Sequence, residues 1–86
     1  MKLVIVSVHD SAADCFNRPV FVPSVGAGVR SFSDEVNREA PDNLAFQHPG
    51  DFSLYVLGTF DDADGSFDIA KPHCVARGKE LRLKGE

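Results

Sequence analysis

The sequence has no tryptophan, one tyrosine, one methionine and only two cysteines among its 86 residues. Cys15 and Cys74 are too few for a disulfide-dense secreted scaffold and lack zinc-framework spacing, so we expect reduced thiols. No apolar run approaches membrane-spanning length, and the opening MKLVIVSVHD reaches His9 and Asp10 too early for a signal peptide. These absences favour a cytosolic protein with no membrane partner.

A general excess of positive charge is also missing. Residues 1–70 carry four basic and eleven acidic residues, whereas residues 71–86 carry five basic and two acidic ones. Lys and Arg supply most non-specific affinity for phosphates, so the acidic part excludes a whole-surface nucleic-acid binder. We therefore expect a single domain at residues 1–70 and a basic C-terminal tail at residues 71–86, where local binding to nucleic acid remains open.

The first half of the chain has the patterns of two strands and a helix. Residues 2–9 are apolar on both alternating sets, which predicts an interior strand. Residues 20–22 lie between two prolines and predict a short edge strand. Ser24 is a candidate N-cap for a helix that runs to about Ala40, before Pro41. One face of this helix is apolar: Val25, Val29, Phe32 and Val36.

The longest apolar run lies between Phe46 and Asp68 and predicts a hairpin around the polar turn at residues 61–65. Alternation places Tyr55 and Leu57 on one side of its first strand. The other side, which we expect to pack on the helix, holds Phe52, Leu54, Val56 and Phe60. Since nothing is left to cover Tyr55 and Leu57, this face indicates an interface with a second subunit or a ligand.

These elements predict an α+β fold with a four-stranded, mainly antiparallel sheet and one amphipathic helix on one face, in the order ββαββ. After Pro72 the pattern permits either an edge strand or a mobile tail. A chain of this length buries little of its surface, so a homodimer is a reasonable route to stability.

No group of residues has the spacing of a catalytic or metal site. The acidic turn fails the calcium-loop pattern, because Phe60 and Ala70 stand where acids are required. Adjacent His73 and Cys74 point to opposite sides of an extended chain and cannot act as base and nucleophile. We therefore expect no enzyme activity, no cofactor and no metal.

Two arrangements of basic residues are candidates for binding phosphates. Gly26 and Gly28 precede Arg30 at a helix start, where free N–H groups can cradle a phosphate, although small residues there also permit close packing on a sheet. The basic tail can hold the backbone of a single strand while Tyr55 or an exposed Phe stacks on bases, or it can simply keep the chain soluble. The candidate residues of the tail are Lys71, Arg77, Lys79, Arg82 and Lys84.

Two stretches resemble a known family. The segments PVFVPSVGAGVRSFSDEVN (19–37) and NLAFQHPGDFSLYVLGTFDDADGSF (43–67) are similar to the small non-structural protein of gokushoviruses, which are single-stranded DNA bacteriophages of the microvirus group. The residues that match an RxFxD helix and an HPxDFxLxxLGxFD hairpin are Arg30, Phe32, Asp34, His48, Pro49, Asp51, Phe52, Leu54, Leu57, Gly58, Phe60 and Asp61.

The resemblance implies a non-structural phage protein made in the host bacterial cytoplasm, which handles the single-stranded DNA genome during DNA synthesis or packaging. It brings no catalytic residues. Its expected partners are single-stranded DNA and phage replication or capsid proteins. The alternative is a protein-interaction module that binds the replication initiator or the procapsid and never contacts DNA.

Overall fold

Strand β1 is the central strand of an antiparallel sheet in the computed structural model, which describes residues 1–83. Strands β2 and β3 pair with one edge of β1, β4 pairs with the other edge, and β5 pairs with β4. A single turn of 3₁₀ helix at Pro49–Asp51 leads into β4. The strands and α-helices are β1 Lys2–Asp10, β2 Cys15–Phe16, β3 Val20–Val22, α1 Val25–Val36, α2 Leu44–Gln47, β4 Phe52–Asp61, β5 Ser66–Arg77 and α3 Gly78–Leu81.

This arrangement confirms the predicted α+β class, with the main helix on one face of an antiparallel sheet. The predicted interior strand is β1, and the proline-flanked edge strand is β3. The additional strand, β2, has two residues and follows the turn after Asp10. Strand β2 forms because its backbone pairs with His9 and Asp10. Two residues are too few to show an alternation, so the sequence pattern does not predict this strand.

Helix α1 packs on the sheet through the predicted stripe. The Ser24 hydroxyl accepts a hydrogen bond from the Ala27 N–H at 3.1 Å, as expected of an N-cap. Phe32 and Val36 are buried against Val6, Phe52 and Leu54, and this cluster is the core of the molecule. Val25, at the start of the stripe, is 39% exposed because it lies before the helix meets the core.

The prediction that the helix reaches Ala40 is wrong, since α1 ends at Val36. Two asparagine side chains hold the carbonyl groups at this end. Asn37 Nδ2 donates to Ser33 O at 2.8 Å, and Asn43 Nδ2 donates to Glu35 O at 2.9 Å and to Arg38 O at 2.8 Å. Side-chain amides therefore supplement the backbone N–H groups of Asn37 and Arg38 as donors to the carbonyls of Ser33 and Glu35.

A bulge in β4 changes the side to which its second half points. Val6 pairs with Val56 and Ile5 pairs with Gly58, so Leu57 is an extra residue in the strand. The alternation predicted Phe60 beside Phe52 on the helix side. Because the bulge shifts the alternation by one residue, Phe60 lies on the opposite face, and that prediction is wrong.

The predicted boundary between residues 70 and 71 falls inside strand β5, which continues to Arg77. Val75, Ala76 and Leu81 pack against the helix-side core. Helix α3 follows directly, and Asn37 Oδ1 accepts a hydrogen bond from the Leu83 N–H at 2.7 Å. The segment after Pro72 is therefore strand as far as Arg77 and helix from Gly78 to Leu81.

Candidate nucleic-acid interface on the open sheet face

The sheet face opposite α1 is called the open face here. Cross-strand pairing sorts its side chains into rows that run across the strands. One row contains Phe16, His9, Ser53 and Arg77, each from a different strand. Since directly paired residues point to the same face, the register fixes which residues of distant sequence become neighbours.

One half of this face, the aromatic end, is built from Phe16, His9 and Tyr55. The ring centroids of His9 and Phe16 are 4.6 Å apart, those of Phe16 and Tyr55 5.2 Å, and those of His9 and Tyr55 5.9 Å. These distances are in the range of attractive aromatic pairs. Phe16 is 44% exposed at the sheet edge, so part of its ring faces solvent.

Basic residues border the aromatic end. The register places Arg77 in the same row as Phe16 and His9, and its side chain is exposed. Arg18 is exposed in the connection between β2 and β3, two residues after Phe16. The aromatic end therefore combines three rings with the exposed Arg77 in one of its rows and with Asp14, whose carboxylate lies 3.7 Å from His9 Nε2.

The other half, the apolar end, contains Phe21, Phe60, Phe67 and Ile69. Ring centroids are 4.8 Å apart for Phe60 and Phe67 and 5.5 Å apart for Phe21 and Phe60. Phe67 is 58% exposed and Ile69 is 64% exposed. This half has the stronger apolar character of the two.

The acidic hairpin turn adjoins the apolar end. Asp64 Oδ1 accepts hydrogen bonds from the N–H of Ser66 at 3.0 Å and from its hydroxyl at 2.7 Å. The hydroxyl bond, followed by the N–H bond, lowers the pKa of the Asp64 carboxyl. Asp62 accepts a hydrogen bond from the N-terminal ammonium group at 2.8 Å. The turn is thus negatively charged at neutral pH, which disfavours phosphate at this half of the face.

The structure separates the two residues that the sequence predicted for an interface. Tyr55 belongs to the aromatic end and is half-buried by its neighbours. Leu57 is half-buried at the β4 bulge, and it does not pack on the helix-side core.

The basic candidates do not form one patch. Arg77 borders the aromatic end, Lys71 is exposed in the middle of β5, and Lys79 is exposed on α3. Arg30 lies on α1, on the other side of the sheet from Tyr55. The Arg82 guanidinium stacks on the Phe46 ring at 3.8 Å. Lys84 lies outside the described residues.

Sequence reasoning missed three aromatic members of the open face. The sequence pattern assigns Phe16 to no strand, and it does not identify Phe21 or Phe67 as a neighbour of Phe60. The sequence shows the two-residue alternation around Phe21 and Phe67. It does not show the strand order that brings these two rings together.

Other candidate chemistry finds little support in the described part of the chain. Residues 1–83 contain no group of three His, Cys, Asp or Glu side chains that could hold a metal ion. A Cβ on Gly28 would lie 3.4 Å from Val22 and 3.5 Å from Val6, which favours close helix–sheet packing over a phosphate cradle. His73 pairs with Val56 and Cys74 with Tyr55, so the two side chains point to opposite faces.

A sheet face with clustered aromatic side chains is typical of small α+β domains that bind their partner on the sheet. Here the same face also holds Ile5 and Ser7, which are buried. The chain belongs to the phage ORF5 protein family, whose model matches residues 3–81. No curated protein and no solved structure matches it significantly. Within residues 1–83, no helix is both long and apolar enough to cross a membrane.

Proposed function

We propose that this phage protein is a non-enzymatic accessory protein that binds the single-stranded DNA genome through the aromatic end of its open face. The observation that carries the proposal is the cluster of Phe16, His9 and Tyr55 with Arg77 in the same cross-strand row. The protein would act during single-strand synthesis or packaging in the host bacterial cytoplasm.

Stacking supplies the first part of the binding energy. Every base has a π-face, and stacking on an aromatic side chain contributes about 1–3 kcal/mol per base without sequence preference. Phe16 offers an exposed ring at the sheet edge, and Tyr55 offers its ring next to it, 5.2 Å away. Because the two ring planes are inclined at 74°, two bases cannot stack on them in parallel. We expect one base to stack on the exposed Phe16 ring with Tyr55 beside it, whereas a base paired in a duplex cannot reach this position.

Charge supplies the second part of the binding energy and limits the DNA site to a narrow strip of the open face. Arg77 and Arg18 are exposed, and we expect them to meet backbone phosphates on either side of the rings. Lys71 on β5 and Lys79 on α3 are also exposed. The acidic turn at the apolar end repels phosphates. Few phosphate contacts are expected, so the affinity should be modest and moderately dependent on salt.

The resemblance of residues 19–37 and 43–67 to the small gokushovirus protein supports this proposal, since those phages package single-stranded DNA. Membership of the phage ORF5 family agrees with a phage origin. Phage replication or capsid proteins are the proposed protein partners.

Fluorescence anisotropy of a labelled oligo(dT) of about 20 nucleotides tests the site. Phe16→Ala and Tyr55→Ala should each weaken binding roughly 5- to 150-fold, the equivalent of ~1–3 kcal/mol. Arg77→Ala should reduce the slope of log K against log salt by about 0.7. Phe67→Ala and Arg30→Ala are the matched controls, one aromatic and one basic, and should leave affinity within about twofold.

Absence of binding at low salt would overturn the proposal and leave the rival module, which contacts the initiator or procapsid without DNA. Equal losses in Phe16→Ala and Phe67→Ala would also contradict it, because the site would then extend beyond the aromatic end.

We propose in addition that a second copy of the chain covers the apolar end. Phe21, Phe67 and Ile69 leave a contiguous apolar surface in water. The hairpin is acidic at its turn and basic at Lys71, so an antiparallel approach of two hairpins brings opposite charges together. The dimer would leave the aromatic ends free for DNA.

A further inference from the structure

A cleft of about 440 Å³ lies on the helix side of the sheet, between α1 and the edge formed by β1 and β3. Its floor is apolar and includes Val6, Val8 and Leu54. At its mouth, Val20 is 53% exposed and Leu44 is 55% exposed. The cleft is therefore a recess over the buried core, with exposed apolar side chains at its mouth, on the face away from the proposed DNA site.

The far wall of this helix-side cleft is held in place by Asn43, which is only 5% exposed. Its Nδ2 donates to the carbonyl oxygens of Glu35 and Arg38, and its Oδ1 accepts from the Ala45 N–H at 3.1 Å. These bonds fix the segment that carries Leu44 to the end of α1. The cleft is thus preformed, and a ligand would not have to open it.

The charges around the cleft have one sign. The lining includes Asp10, Glu35 and Asp42 but no Lys, Arg or His. Glu35 forms two hydrogen bonds with Arg38 outside the cleft, at 2.8 and 2.9 Å, and these bonds lower the pKa of its carboxyl. Asp10 Oδ1 accepts from the Ala12 and Ala13 N–H groups. Asp42 is exposed at the rim. An anionic ligand, DNA included, is disfavoured here, and a cationic one is attracted.

We infer that the helix-side cleft docks a short amphipathic segment of a partner protein, with large apolar side chains flanked by Lys or Arg. Its volume lies within the roughly 300–1,000 Å³ typical of ligand sites, so it accepts a few side chains and not a whole helix. The apolar anchors would cover Leu44, Val20 and the floor, while the basic flanks would meet Asp10 and Asp42. This site goes beyond DNA binding and does not depend on it.

Two fluorescein-labelled peptides test the inference: a designed amphipathic peptide of about 14 residues with Leu on one face and Lys on the other, and the same peptide with Glu in place of Lys. The Lys peptide should bind, and the Glu peptide should bind at least about tenfold more weakly. The double variant Leu44→Lys/Asp42→Lys should weaken the Lys peptide by about tenfold or more.

The matched control is Leu83→Lys/Glu80→Lys, which likewise replaces one exposed leucine and one exposed acidic residue by lysines, at positions that do not line the cleft. It should leave peptide affinity within about twofold. Circular dichroism and thermal unfolding should be equal for both double variants. Oligo(dT) binding by Leu44→Lys/Asp42→Lys should be undiminished, which separates this site from the proposed DNA site. No binding of the Lys peptide, equal binding of both peptides, or equal losses in the two double variants would overturn the inference.

Discussion

Gly58 decides the architecture of the open face at the scale of a single residue. A Cβ at this position would overlap the carbonyl oxygen of Asp68 and lie 3.0 Å from Ile69 Cα. The backbone φ of Gly58 is +155°, which side chains of L residues rarely permit. Because this glycine sits in the bulge, it also determines that Phe60 turns to the open face.

Replacing Gly58 with alanine should therefore lower the free energy of unfolding by about 2–4 kcal/mol, since backbone atoms of β5 would have to move. The measurement is chemical denaturation monitored by circular dichroism. Gly50→Ala is the control, because nothing lies within 4 Å of the Cβ it would add. A Gly58→Ala variant as stable as Gly50→Ala would contradict the account of the bulge.

At the scale of elements, hydrophobic periodicity predicted the structure of a segment wherever contacts with distant strands did not interrupt the regular alternation of its backbone. It predicted the strand at residues 2–9, the stripe on α1 and the β4 alternation as far as Val56. It failed after Leu57, because the bulge depends on contact between Gly58 and a distant strand. The charge count likewise suggested a tail, although the backbone between His73 and Arg77 pairs with β4.

The candidate site was predictable only in part, because it also depends on which strands pair with each other. Tyr55 and Arg77 were identified from an uncovered face and a basic segment. Phe16 was not, because its strand has two residues and exists only through pairing with β1. Aromatic clustering on a sheet depends on strand order, which alternation within one strand does not contain.

Asn37 links two elements that the sequence left unconnected. Its Nδ2 donates to Ser33 O at the end of α1 and to Leu81 O of α3, and its Oδ1 accepts from Leu83 N. Asn37→Asp keeps the acceptor and removes both donors, so it should selectively loosen α3, at a cost of about 1–3 kcal/mol.

Hydrogen exchange measures this effect: amides of residues 78–83 should lose protection, while those of β1 and β4 should keep theirs. The isosteric change keeps the packing volume, so a loss of protection reports the lost hydrogen bonds together with the new negative charge beside the two carbonyls. Unchanged protection in α3 would show that the apolar contact of Leu81 with the core, and not Asn37, holds this end.

At the scale of the whole molecule, the two halves of the open face are expected to serve different partners. Light scattering at high protein concentration should give about twice the 9.3 kDa mass of one chain. The double change Phe67→Ser/Ile69→Ser should yield monomers, because it removes the exposed apolar surface of the apolar end. Phe16→Ser should remain dimeric. A monomeric parent protein would refute the proposed dimer.

Tyr55 offers the most direct measurement of the central claim, that single-stranded DNA stacks on the aromatic end. It is the only tyrosine, and the chain has no tryptophan, so intrinsic fluorescence reports this ring alone. Titration with oligo(dT) should quench the tyrosine emission in parallel with the rise in anisotropy of labelled DNA, and Phe16→Ala should weaken both signals together. DNA binding that leaves the emission of Tyr55 unchanged would contradict the proposed site.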